Sequence, residues 1–361
     1  MNSYLNILFS ILLSCLGLSL QAQIISIDPV FPSIDDTITI TYDATQGSAG
    51  LVGVGQVYAH TGLITDQSTT PTDWKYVQGN WGTDDPKVKM TALGNDLHQI
   101  KYHARSFYNP PANVVVEKFA FVFRNVDGSR EGKTATGGDI FYDAFGGGSL
   151  DIALLTPGPQ NIIEVNESLE VRFASSNTSD LKIFKDGVLA SQANGKELTY
   201  TIQESTAGDF WFQLEADDGT TVREDSFFVS VRVPVVSQDP PANAASGVVY
   251  LDDTTALISL TAPLKNYVHL IGEFNNWAPS NASQMKRSMD GDTWWLELTG
   301  LEAGKEYAYQ FLIEGDLAVA DPYARKILDP WNDGFIPAST YPNLKPYPVE
   351  ANGIVSVLQT A

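Results

Sequence analysis

The stretch YVHLIGEFNNW, Tyr267 to Trp277, decides how this chain is read. A short apolar run followed by Gly-Glu-Phe-Asn-Asn is a strand that ends in a tight corner, with Trp277 just past it. Two roles suit that tryptophan. A flat ring flanked by Asn275 and Asn276 can stack on a sugar while the amides bond its hydroxyls. The same residues also make an ordinary corner of a β-sandwich.

Working outward, the neighbouring segments alternate as strands do. DTITITYDA (Asp36–Ala44), ESLEVRFA (Glu167–Ala174), TALISLTA (Thr255–Ala262), WWLELTG (Trp294–Gly300) and YAYQFLIEG (Tyr307–Gly315) are separated by Gly, Asp, Asn and Pro turns. No long stretch repeats apolar residues at helical spacing. The expected fold is all-β: three consecutive β-sandwich modules, immunoglobulin-like or early-set in type. Composition breaks at Phe145–Asn161 and Val233–Gly247 place the modules at 24–150, 160–233 and 246–337, with a Pro-rich connector over 338–361. The outer two share a weak repeat: a strand, a Met-containing turn, a second strand, then an aromatic strand closed by an acidic-Gly turn.

The chain has 361 residues, 43% of them hydrophobic and 18% charged, which suits folded domains. Its formal net charge of −21 excludes a nucleic-acid partner, since phosphate binding requires clustered Lys and Arg. Neutral ligands such as sugars remain compatible. Residues 1–22, with the apolar run Ile7–Leu20, are expected to be a signal peptide, which implies a secreted, cell-surface or periplasmic location and no membrane span after cleavage. Cys15 lies inside that segment and is the sole cysteine, so no disulfide or thiolate chemistry is expected in the mature chain.

Catalytic constellations find little support. His60, His98, His103 and His269 have no zinc-ligand spacing, and no Gly-x-Ser-x-Gly elbow is present. The acidic clusters at Thr83–Pro86, Glu215–Gly219 and Asp290–Asp292 sit where turn geometry alone explains them. No metal or cofactor is expected. The aromatics carry more information. Trp277 with Asn276, Trp295, and the trio Trp74, Tyr76 and Trp81 in TDWKYVQGNWG are candidates for sugar contact, although core packing is the commoner role of tryptophan. Strand alternation puts Trp294 in the core and turns Trp295 outward beside Glu297 and Thr299.

YVHLIGEFNNWAPSNASQMKRSMDGDTWWLELTGLEAGKEYAYQFLIEGDLAVADPYARKILDP, in a match running from about Val248 to Pro337, resembles the early-set domain at the N-terminus of glycoside hydrolase family 13 enzymes. That domain is related to carbohydrate-binding module family 48. The preceding modules resemble the N-terminal extension of secreted Bacteroidetes α-amylase-family enzymes, and the closing DPWNDGFIPASTYPNLKPYP resembles the connector into their (β/α)₈ barrel. The resemblance implies an accessory, substrate-positioning or barrel-bracing region of an extracellular glycosyl hydrolase acting on α-glucans such as starch or glycogen. It makes Trp277 the counterpart of a stacking tryptophan. Leu317 and Gln310 stand where sugar-binding members carry a second tryptophan and a lysine. The family's retaining chemistry needs two carboxyls about 5 Å apart, and no residue here is assigned to it. A barrel partner is expected downstream, and this chain alone is expected to be inactive. A free-standing surface glycan-binding protein and a structural spacer remain the alternatives.

Overall fold

The structure is a computed structural model that describes residues 23–146 and 148–361. The expected targeting segment over 1–22, with Cys15, lies outside the described residues. The architecture is nearly all β, as the alternating segments predict, and it divides into two compact units, 1–148 and 149–361.

In the first unit, β1 (Ile25–Asp28), β2 (Thr37–Asp43), β3 (Tyr58–Thr65), β4 (Lys75–Gln78), β5 (Thr91–Gly94) and β6 (Leu97–His103) precede a short helix α1 (Ala104–Tyr108), followed by β7 (Val116–Arg124), β8 (Glu131–Gly132) and β9 (Ile140–Asp143). One sheet runs β1-β2-β6-β5 and the other β4-β3-β7-β8, with β9 also paired to β7. Period-two alternation sends Ile38, Ile40 and Tyr42 of β2 and Phe119, Phe121 and Phe123 of β7 into one shared core. Tyr42 and Phe123 stack across it with centroids 4.0 Å apart.

The second unit begins with β10 (Ile152–Thr156), β11 (Gln160–Ile163), β12 (Ser168–Lys185), β13 (Val188–Gln203), β14 (Gly208–Asp217) and β15 (Val222–Val231). The strand order is β10-β12-β14-β15-β11, with β13 on β12. The register of β12 against β13 shifts between Ala174 and Ser179. On one side of that break β12 pairs with β10, and beyond it with β14. A bent strand of this kind serves two layers around one core, here Phe173, Leu181, Ile183, Phe212, Leu214 and Phe227.

The last module holds β16 (Gly247–Asp252), β17 (Thr255–Thr261), β18 (Val268–Gly272), β19 (Lys286–Arg287), β20 (Thr293–Leu298), β21 (Glu306–Ile313), β22 (Leu317–Val319), β23 (Lys326–Leu328) and β24 (Val355–Gln359). Its sheets are β16-β17-β20-β19 and β18-β21-β24-β23, with β22 on β21. Trp294, Tyr309 and Phe311 fill the space between them.

Two expected boundaries change. The segment over 338–361 was read as a connector, yet β24 inside it pairs with both β21 and β23 and buries Val355, Val357 and Leu358. The composition break after Val233 was left outside both modules, yet Ser237 bridges to Arg287 and the Gln238 N–H donates to the Arg287 carbonyl over 2.8 Å. The immunoglobulin-like and last modules also share polar contacts. The side-chain amide of Asn281 donates to Asp209 Oδ1 over 2.9 Å and to the Val231 carbonyl over 3.1 Å. Arg232 lies over the Tyr267 ring at 4.6 Å. Proline in both stretches suggested independence, but their apolar and carbonyl groups are satisfied only against the sandwich.

Candidate functional site

The GEFNNW corner is a turn built by its own asparagines. Asn275 accepts from the Gly272 N–H and donates to the Leu270 carbonyl, each over 2.9 Å. Asn276 then takes a left-handed conformation (φ 51°), which asparagine tolerates better than most residues. Trp277 follows it there (φ 60°), and its N–H closes the corner on the Gly272 carbonyl at 2.9 Å. The indole consequently turns inward and is only 4% exposed, packed with Ile271, Ala308, Leu328, Val355 and Val357.

A strap of the chain's own residues seals this corner. Leu344, Tyr347 and Ala351 pack on the Trp277 cluster. Lys345 pairs with Glu273 at 2.9 Å, and Glu273 also accepts from the Ala308 N–H at 2.8 Å. Gln310 is buried and donates to the carbonyls of Asn352 and Ile354 over 2.6 and 2.9 Å. Trp277 is thus a corner residue with a covered ring, and Asn276 is exposed beside it without a ring to work with. Leu317 stands exposed at the start of β22.

Trp295 was expected to face outward and does not. It is 3% exposed, its indole N–H donates to the Gln238 carbonyl over 2.7 Å, and Lys286 lies over its ring at 4.5 Å. The inter-module segment around Gln238 covers that face of β20. Strand alternation was right about the side and blind to the cover.

The first unit arranges its aromatics differently. Tyr76 packs against the core and is not a surface platform. Trp74 packs against Gly62 of β3, where an added Cβ would stand 3.2 Å from the ring's Cε3. Its loop is fixed by Asp73, whose carboxylate accepts from the Thr69 N–H over 2.9 Å and pairs with Lys75 at 2.9 Å. Those bonds, the Thr69 N–H foremost, hold the Asp73 carboxyl at about 2. Phe141, Trp74, His60 and Trp81 form a row with successive ring centroids 6.4, 5.8 and 5.3 Å apart. His60 Nδ1 lies 2.8 Å from the Gly79 carbonyl and must be the donor there, which leaves Nε2 as the acceptor of the neutral ring.

At the end of the row Trp81 is 42% exposed. Its ring rests on Gly128, where a Cβ would come within 2.5 Å of the indole nitrogen and φ is +72°. Below it is Arg124, fully buried, whose guanidinium lies 4.9 Å from the Tyr58 ring and 5.9 Å from that of Trp81. One Arg124 terminal nitrogen donates to the Asn125 and Val126 carbonyls, at 2.9 and 3.1 Å. The other donates to those of Asn80 and Thr83, at 2.6 and 2.9 Å. Nothing in the sequence announced this arginine, because a cation held by backbone carbonyls leaves no motif.

Elsewhere the acidic clusters are turns: Asp218 accepts from Thr220 and Thr221, and Asp290 from Ser288 and Asp292. Among the described residues no three His, Cys, Asp or Glu side chains converge as a metal site would require. No described helix is long and apolar enough to cross a membrane. His269 is fully buried with both ring nitrogens unpartnered, and burial, aided by the nearby Arg232 charge, lowers it to about 4. Trp211 of the middle module is 55% exposed and lies 5.3 Å from Phe228.

Residues 247–331 match the family described as carbohydrate-binding module 48, the isoamylase N-terminal domain. Residues 25–131 match a family described as a domain of unknown function, DUF8578. Over 67 residues, 18% of this chain, the sequence is 45% identical to the 1,4-alpha-glucan branching enzyme GlgB of Butyrivibrio fibrisolvens, of which the match covers 10%. Among solved structures, the fibronectin(III)-like modules of Clostridium thermocellum CbhA are similar at a TM-score of 0.24 and 14% identity, covering 47% of this chain and 90% of that one. The Group B Streptococcus pullulanase SAP is similar at 0.20 and 15% identity, covering 49% of this chain and 24% of that one.

Proposed function

We propose that this chain is the non-catalytic, carbohydrate-binding accessory region of an α-glucan-active enzyme of the glycoside hydrolase 13 type, exported from the cell. The observation that carries this is the match of residues 247–331 to carbohydrate-binding module 48. The likeness of 67 residues of the chain to a glucan branching enzyme supports an α-glucan as the polymer. The acidic chain repels phosphate-rich partners and leaves neutral polysaccharide as the compatible ligand.

For the last module itself a bracing role is the better one. Trp277 and Trp295 are covered by the chain's own segments, so neither ring is free to stack. The segment before the strap instead exposes Trp331, Phe335 and Tyr341, an aromatic set suited to lying against another domain. Retention therefore belongs elsewhere in the chain, and positioning of a catalytic partner belongs here.

Depletion from solution by granular starch tests the glucan assignment. The full chain is expected to be depleted by starch without releasing reducing sugar. A chain that stays in the supernatant contradicts the assignment.

A further inference from the structure

We infer that the row Trp74–His60–Trp81 on the first unit is a binding ledge for a neutral glucan chain. Trp81 stacks on one sugar ring, and His60 Nε2 accepts from a hydroxyl of the next. The ligand class rests on the function proposed above; the location does not, since the matching family for this unit carries no assigned function.

Trp81 is exposed and yet held, while His60 and Trp74 are half-buried beside it. Trp81 is on a loop whose carbonyls at Asn80 and Thr83 are gripped by a fully buried Arg124, and its floor is a glycine in a left-handed turn. A ring fixed in advance loses little freedom on binding, and that ordering cost limits weak sugar sites. His60 is oriented by the Gly79 carbonyl, so its free nitrogen is an acceptor in a set direction. Stacking next to one fixed acceptor is the pattern that recognises a flat, hydroxyl-rich ring.

Charge narrows the ligand further. Asp84 and Asp127 are exposed on the turns that bracket Trp81, and the Arg124 charge is committed to four carbonyls. Lys89 is already paired with Asp84 at 3.3 Å, so an anionic sugar or a nucleic acid meets the Asp127 carboxylate with little free positive charge to offset it. A neutral glucan meets no such penalty.

Calorimetric titration of the full chain with maltoheptaose tests this, using Trp81→Ala, His60→Ala, Gly128→Ala and, as a control on another module, Trp211→Ala. Trp81→Ala is expected to weaken binding at least about tenfold. Gly128→Ala is expected to weaken it comparably with every aromatic ring still present, because the added methyl displaces Trp81. Trp211→Ala should bind as the parent does. Thermal melts identify any variant that fails to fold, and the remaining ledge variants then decide. Parent-like affinity in folded Trp81→Ala and Gly128→Ala would overturn the ledge while leaving glucan binding intact. No heat from the parent chain would overturn both.

Discussion

The guanidinium of Arg124 lies 5.9 Å from the ring centroid of Trp81, and the same group holds the carbonyls of Asn80 and Thr83 on either side of that tryptophan. A buried cation without a carboxylate is costly unless donors are well satisfied, and here backbone oxygens satisfy two of its nitrogens. Arg124→Met should therefore destabilise the first unit by about 3 kcal/mol, since it strands four carbonyls at once. Chemical denaturation would show a lower midpoint, and acrylamide quenching of Trp81 would rise. An unchanged midpoint would mean the arginine is not an organiser of the loop.

Trp277 behaves in this structure as core. Its removal in Trp277→Ala should cost about 3–5 kcal/mol through the cavity left among Ile271, Ala308, Val355 and Val357. A surface platform would lose under about 0.5 kcal/mol. The thermal midpoint of the second unit separates these outcomes.

The last module should not fold when cut at Pro337, where its pattern ends in sequence. Such a chain lacks β24, and with it the strand that fills the sheet between β21 and β23. Circular dichroism melts of the full and shortened chains are expected to differ by loss of one transition. A shortened chain that melts like the full one would show that β24 is dispensable.

His269 sets an acid limit. Its pKa falls from 6.5 in the unfolded chain to about 4 when buried. Between those values the unfolded state binds the extra proton, so stability is full above about pH 6.5 and declines as pH falls toward 4. The loss is on the order of 3 kcal/mol at the acid end. His269→Phe should flatten this slope in urea titrations at pH 4.5 and 7, whereas an equal slope in both proteins would place the acid sensitivity elsewhere.

Alternation gave the strands and the sandwich class, because a half-buried strand imposes a period of two on its residues. It also placed Trp294 inside correctly. The outward reading of Trp295 from alternation and the stacking reading of Trp277 from the resemblance fail for one shared reason. Both rings are covered by Pro-containing stretches, Val233 to Pro240 and Leu344 to Ala351, whose composition marks a break between modules. Proline reports that a segment cannot join a ladder freely; it does not report whether the segment is laid down on a surface. The Trp74 and Trp81 loop was legible as aromatic-rich, but its support was not, since Arg124 acts through backbone oxygens 41 and 44 residues away.

The most direct test of the glucan assignment is native electrophoresis of the full chain in gels with and without amylopectin. The predicted result is retarded migration in the polysaccharide gel, reversed by added maltoheptaose. Identical migration in both gels would contradict it.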